Sequence, residues 1–226
     1  MSSPPVIAID GPSGSGKGTV CRRVAAELGF HLLDSGALYR LTGLAGRHAG
    51  LVPGDEAGHA RLARGMQVEF GADERGDERI WLNGEVVTDA IRTEQAGNLA
   101  SQVASLGAVR QALVARQRDF ATAPGLVADG RDMGTQIFPT AALKIFLTAS
   151  AEERARRRYN QLKDKGLSVS LADLSREIAE RDHRDASRAL APLVAAADAV
   201  ELDSTGLTPD EVVAHVLTLA RERLIG

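Results

Sequence analysis

The chain has 226 residues, enough for one sizeable α/β domain with an insertion, and its 25% charged and 44% hydrophobic residues are ordinary for a globular protein. A formal net charge of −3 argues against broad nucleic-acid binding, which needs many exposed cations. No apolar stretch reaches membrane-spanning length, the start Met1-Ser2-Ser3-Pro4-Pro5 lacks a basic-then-apolar signal pattern, and the one cysteine, Cys21, excludes an internal disulfide or a zinc cluster, so a cytoplasmic protein without a membrane partner is expected.

The first element is an apolar run at 6–9, expected as a buried strand. It leads into Gly11-Pro12-Ser13-Gly14-Ser15-Gly16-Lys17-Gly18-Thr19, and a helical pattern follows over 17–28. Strand, glycine-rich turn and helix form the context of a phosphate cradle. Its glycines let successive N–H groups turn inward, the helix N-terminus adds partial positive charge, and Lys17 adds a full charge on a flexible stem. The motif departs from its strict form because Gly18 separates Lys17 from the hydroxyl of Thr19. A magnesium ion is therefore expected on water and phosphate oxygens, with Thr19 and Asp129 contributing through water. Cys21 falls inside the following helix, where a small buried hydrophobe is expected.

Further apolar runs at 30–33, 126–128, 143–147 and 199–202 are predicted strands, and helical patterns cover 36–49, 94–120, 151–163, 171–184 and 209–224. This alternation predicts a core of about five parallel strands with helices on both faces. Several strands end in aspartate (Asp10, Asp34, Asp129, Asp203), at the sheet edge where ligands of such folds lie. Residues 66–88 break the alternation. Period-two apolarity around Asn83-Gly84 predicts a hairpin with a type I′ turn, within a small antiparallel insert of three strands.

Arginines crowd the second half of this acidic chain: Arg131, Arg154, Arg156, Arg157, Arg158, Arg181, Arg184 and Arg188. That concentration points to a small, highly charged anion. Arg154, Arg157 and Arg158 stand at i, i+3 and i+4 and so share one helix face.

Five stretches, at 9–19, 32–40, 128–135, 144–150 and 181–188, resemble the bacterial cytidylate kinase family, and the resemblance covers essentially the whole chain. The loop alone names a superfamily, and its Gly-Lys-Gly-Thr variant is shared by small kinases of nucleoside monophosphates. Asp129-Gly130-Arg131-Asp132 and the spaced Arg181, Asp185 and Arg188 are far more specific. The resemblance implies a P-loop kinase domain with a monophosphate-binding region at 35–110, the antiparallel insert near 65–92 and a lid at 151–170. It implies transfer of the γ-phosphoryl group of ATP to CMP or dCMP with Mg²⁺.

Such a reaction needs positioned positive charge in a site closed to water. Residues 11–19 would hold the donor, with Arg154, Arg157 and Arg158 closing from the lid, and Lys17, Arg131, Arg157 and Asp129 are the catalytic candidates. Arg40, Arg131 and Arg188 are candidates for the acceptor phosphate, since a guanidinium grips it through two parallel bonds. Asp132 suits the N4 amino group of cytosine, with Ser35, Arg110 and Arg188 around the ring. Sequence leaves Arg188 open between base and phosphate. Ser101, Arg181 and Asp185 resemble the family's sugar contacts, which accept deoxyribose as well as ribose. His183 is given no role, because an ionised phosphate needs no general base. Two other readings share Lys17: a P-loop kinase for UMP, AMP or a sugar, and a nucleotide switch without turnover. The expected state is a monomer.

Overall fold

β1 (Val6–Asp10) is buried along its whole length, as an apolar run with neither face polar requires. In the computed structural model, which describes residues 4–72, 78–164 and 166–225, it is the central strand of a five-stranded sheet. The order is β2-β6-β1-β7-β8, with β2 at His31–Asp34, β6 at Leu126–Gly130, β7 at Leu143–Thr148 and β8 at Val200–Asp203 (β3, β4 and β5 belong to a separate sheet). Every pairing is parallel. The outer strands β2 and β8 are less buried than β1, because each has one neighbour instead of two. All five predicted strands are present, each within a residue or two of its expected bounds.

Helices α1 (Lys17–Leu28) and α9 (Pro209–Ile225) contribute Val20, Cys21, Val24, Val212, Val213 and Val216 to one apolar cluster with Ile7, Ile9, Val127, Ile145 and Leu147. Each of these valines, isoleucines and leucines contributes about 1.5–3 kcal/mol when fully buried. Cys21 is fully buried here, and burial pushes its thiol well above the ordinary value, which suits an inert apolar residue. The helices between β7 and β8 are α7 (Ala151–Asp164) and α8 (Leu171–Ala186), packed against each other.

Contacts divide the chain into two compact units, Met1–Asp34 with Gln117–Gly226, and Ser35–Arg116. The second unit contains α2 (Ser35–His48), α3 (Glu56–Gly65), β3 (Val68–Ala72), β4 (Glu78–Leu82), β5 (Glu85–Val86), α4 (Thr88–Ile91) and α5 (Glu94–Val103), and ends within α6 (Gly107–Arg118). Its helices α2 and α5 approach closely: a Cβ on Gly43 would lie 2.8 Å from that of Leu99. The insert is the predicted three-stranded antiparallel sheet, β3-β4-β5. Asn83 and Gly84 have φ of 52° and 86°, the paired positive values of a type I′ turn.

Some features differ from expectation, among them the short helix α4 and a turn at Met133–Ile137, neither of which the apolar pattern predicts. Residues 94–120 form two helices, α5 and α6, separated at Ala104-Ser105-Leu106. Helix α3 lacks a run of large apolar residues; it buries Gly58, His59, Ala60 and Ala63, small or polar side chains that give little periodic signal. Its start was marked only by Asp55, whose carboxylate accepts from the Gly58 N–H at 2.8 Å. The polar stretch inside the insert falls partly on residues 73–77, and the expected lid includes Lys165; these lie outside the described residues.

At the end of β1 the backbone passes so close to β7 that a Cβ on Gly11 would stand 2.0 Å from the Leu147 carbonyl oxygen. At Gly84 a Cβ would meet nothing within 4 Å. Gly11→Ala is therefore expected to destabilise the protein by about 3 kcal/mol or more, through displaced backbone. Gly84→Ala should cost about 1–2 kcal/mol, the backbone conformation alone. Urea denaturation followed by circular dichroism distinguishes them; equal losses would contradict the close approach at Gly11.

Candidate active site

Gly16 precedes α1 with φ of 94°, a conformation that turns its carbonyl to accept from the Thr19 and Val20 N–H groups at 3.1 Å each. The loop from Gly11 thereby feeds directly into the N-terminus of α1, the positive end of the helix dipole. Lys17, the first residue of α1, is 5% exposed. Its Nζ donates to the Pro12 carbonyl at 2.7 Å and lies 3.4 Å from Ser15 Oγ. Burial, followed by the charge of Arg131, lowers its pKa to about 7. Burial outweighs the nearby Asp129 and Asp10 carboxylates, and a phosphate oxygen would add negative charge to an ammonium whose hydrogen bonds go to a carbonyl and a hydroxyl. The loop thus fits a bound phosphate group on its own geometry.

Asp129, at the end of β6, faces the same loop: a Cβ on Gly18 would lie 3.5 Å from its Oδ2. Burial pushes its carboxyl upward, and Lys17 is the main charge opposing that shift. Thr19 is exposed on the first turn of α1. Among the described residues no group of three or more His, Cys, Asp or Glu could hold a metal ion.

The arginines of α7 are placed unequally. Arg154 is buried, with Nε donating to the Ala149 carbonyl (3.0 Å), Nη1 to the Ser13 carbonyl (3.1 Å), and Nη1 and Nη2 gripping Asp182 at 3.0 and 2.6 Å. It joins the phosphate loop to α8. Arg157 donates to the Ser15 carbonyl (3.2 Å), to Ser204 Oγ (3.0 Å) and to the Ser204 carbonyl (2.6 Å), while Glu153 accepts from its Nε (2.8 Å). Arg158 Nη1 lies 3.5 Å from Gln161 Oε1. Two of the three arginines that share a helix face by spacing therefore pack on the loop itself. Ser204 and Asp182 carry no motif that announces these contacts; only the folded chain brings them to the loop.

A second cationic cluster surrounds Asp185 on α8. Its carboxylate accepts from Arg131 Nε at 3.1 Å and pairs with Arg188. Burial resists ionisation of Asp185, but Arg131, Arg188 and Arg181 outweigh it and hold the carboxyl below its ordinary range. Arg131 Nη1 also donates to the Gly130 carbonyl at 3.2 Å. Asp132 is 3% exposed, and its own carbonyl accepts from Gln136 and Ile137 N–H groups at 2.8 and 3.2 Å. Those bonds wind a short π-helical turn, Met133–Ile137. The first unit thus carries the loop, Lys17, Asp129, the α7 arginines, Arg131, Asp132, Arg181, Asp185 and Arg188.

Ser35, Arg40, Ser101 and Arg110 belong to the second unit. Ser35 and Ser101 are buried on α2 and α5. Arg40 Nη1 donates to the Ile91 carbonyl. Arg110 is 9% exposed, donates to the Ala104 carbonyl at 3.4 Å, and has its guanidinium 5.9 Å from the centre of the Tyr39 ring, within cation–π range.

Comparison with known proteins agrees with this geometry. The family model described as cytidylate kinase matches residues 7–222. A cytidylate kinase of Pseudomonas syringae pv. syringae (strain B728a) is 60% identical over 215 residues, covering 95% of this chain and 94% of that protein. A cytidylate kinase of Colwellia psychrerythraea (strain 34H / ATCC BAA-681) is 53% identical over 224 residues, covering 99% of each. A solved structure of an uncharacterised protein from Eubacterium ventriosum ATCC 27560 shares the fold at a TM-score of 0.52 and 11% identity, over 97% of this chain and 99% of that one. With a phosphate loop on a parallel sheet, and full-length relatives of this kind, the chain belongs to the cytidylate kinase family of nucleoside monophosphate phosphotransferases.

Proposed function

We propose that this protein transfers the γ-phosphoryl group of ATP to CMP and dCMP, giving ADP and CDP or dCDP. One observation carries the reading: the unit that buries Lys17 in a phosphate loop also holds a second, distinct cationic cluster around Asp185. Two polyanions repel each other, and a catalyst that joins them needs positive charge for both. The names of the full-length relatives support cytidine monophosphate as the acceptor.

In this reading residues 11–19 and Lys17 hold the donor phosphates, and Arg157 adds charge beside the loop at Ser15. Arg158 serves the donor from the same helix, and Arg154 holds the loop from beneath. Arg40, Arg131 and Arg188 grip the acceptor phosphate, Arg188 also reaching toward the base; Asp132 accepts from cytosine N4, with Ser35 and Arg110 on the ring; Ser101, Arg181 and Asp185 take the sugar, and need no 2′-hydroxyl. An acceptor phosphate oxygen attacks the γ-phosphorus as the bond to the β-bridging oxygen breaks, and the leaving charge passes to ADP. Magnesium, held by Thr19 and Asp129 through water, would spread that charge when bound. Residues 35–110 act as the monophosphate-binding region and 151–170 as a lid, in a cytoplasmic monomer.

Lys17→Ala should lower the rate of CDP formation at least about 10³-fold, since amide dipoles cannot replace a full charge on the transferring group. Near-normal turnover would remove Lys17 from the site. Asp132→Ala should lower kcat/KM for CMP about 10²-fold or more, with slow ATP hydrolysis preserved and the CMP:UMP ratio reduced. Initial rates with CMP, dCMP, UMP and AMP measure this, and unchanged CMP kinetics would overturn the account of base choice.

The lowered pKa of Lys17 has a binding consequence. At pH 8 a lysine with a pKa of about 7 is mostly neutral, whereas a bound phosphate favours its ammonium. Binding of an ATP analogue at pH 8 should therefore take up about one proton, since the phosphates are already ionised. Calorimetry in buffers of different ionisation enthalpy reads this directly. Lys17→Ala should abolish the uptake, and a buffer-independent enthalpy for the wild type would contradict it.

A further inference from the structure

Asp10 ends β1 and directly precedes the phosphate loop, yet neither the sheet nor the donor phosphates call for a carboxylate at that point. Its side chain is used elsewhere. Oδ1 accepts from the Met133 N–H and Oδ2 from the Gly134 N–H, each at 2.8 Å, across 123 and 124 residues of sequence. Asp10 is 5% exposed, so both bonds are formed away from water, where charge-assisted pairing is strong and a lost partner is costly. Two amides on two oxygens also fix an orientation as well as a distance.

The amides that Asp10 holds open the π-helical turn immediately after Asp132, and this turn closes back on the Asp132 carbonyl. The turn is pressed from another side as well. A Cβ on Gly134 would lie 3.1 Å from Lys144 Cδ and 3.5 Å from Asp10 Oδ2, so the Lys144 stem and the Asp10 carboxylate both pack on the turn there. The Lys144 ammonium is itself tethered to Asp198 at 2.8 Å. Asp132 is thus anchored on its C-terminal side by a strand that ends in the donor loop.

Resting on the assignment of Asp132 to the cytosine base, we propose that Asp10 is a positioning residue for acceptor choice. By holding the 133 and 134 amides it sets the orientation of Asp132, and so couples the strand that carries the donor loop to pyrimidine selectivity. Both carboxylate oxygens of Asp10 are taken by the Met133 and Gly134 amides, so its role is to position rather than to bind. Its effect passes through the turn, and geometric errors of about 1 Å at such a site cost up to about 10²-fold in rate.

Asp10→Asn tests this, because an amide offers one acceptor where two donors wait and turns its NH₂ toward an N–H. The ratio of kcat/KM for CMP over UMP should fall about tenfold, with KM for CMP rising more than KM for ATP. A purely structural role would not move this ratio. In Asp10→Asn/Asp132→Ala the ratio should be no lower than in Asp132→Ala alone, as for two residues acting through one contact. An unchanged ratio in Asp10→Asn, with the ratio lost in Asp132→Ala, would overturn the proposal and leave the assignment of Asp132 standing. A ratio retained in Asp132→Ala would overturn both. Additive losses in the double variant would also overturn it, showing that Asp10 acts by another route. Should Asp10→Asn fail to fold, Asp10→Glu, which keeps the charge and shifts the carboxylate by one methylene, is judged by the same ratios.

Discussion

The buried ammonium of Lys17 is held in place by a loop that exists only because β1 lies at the centre of the sheet. β6 and β7 flank that strand on both sides, and its register with them brings Gly11 against the Leu147 carbonyl and Asp10 opposite Gly130. From that crowded point the chain must turn sharply, and the turn delivers Lys17 to the first position of α1 with little water around it. Desolvation of the ammonium makes the site receptive to phosphate. The same strand end supplies Asp10, so one close-packed backbone position influences both the donor loop and the turn behind Asp132.

Positive charge is concentrated without leaving it uncompensated. Asp185 sits between Arg131 and Arg188, and Asp182 holds Arg154, so two carboxylates on α8 keep three guanidinium groups in register. A buried guanidinium left without a partner is costly. Pairing keeps these guanidinium groups oriented, a state from which a phosphate can compete for them at modest cost. Glu153 likewise orients Arg157 at the start of α7, and also pairs with the exposed Arg156.

Much of this was legible in the residues. The five strands were marked by apolar runs bounded by turn residues, the hairpin by Asn83-Gly84, and the loop by its glycines and Lys17. These signals are local: each depends on neighbours within a few positions. Helix α3 was illegible because its buried face is made of Gly58, His59, Ala60 and Ala63, and the break at Ala104-Ser105-Leu106 because no proline marks it. Among the arginines, spacing identified a shared helix face for Arg154, Arg157 and Arg158 but not which of them would be buried.

Sequence by itself determined the phosphate loop, the parallel sheet with its antiparallel insert, the inventory of cations and the family resemblance, because backbone conformation and side-chain charge follow from residue type and short-range spacing. Tertiary structure alone decided the partners: Asp10 for the amides after Asp132, Asp182 for Arg154, Ser204 for Arg157, and the depressed basicity of Lys17. These depend on desolvation and on contacts between residues far apart in the chain, and neither quantity exists until the strands have paired and excluded water.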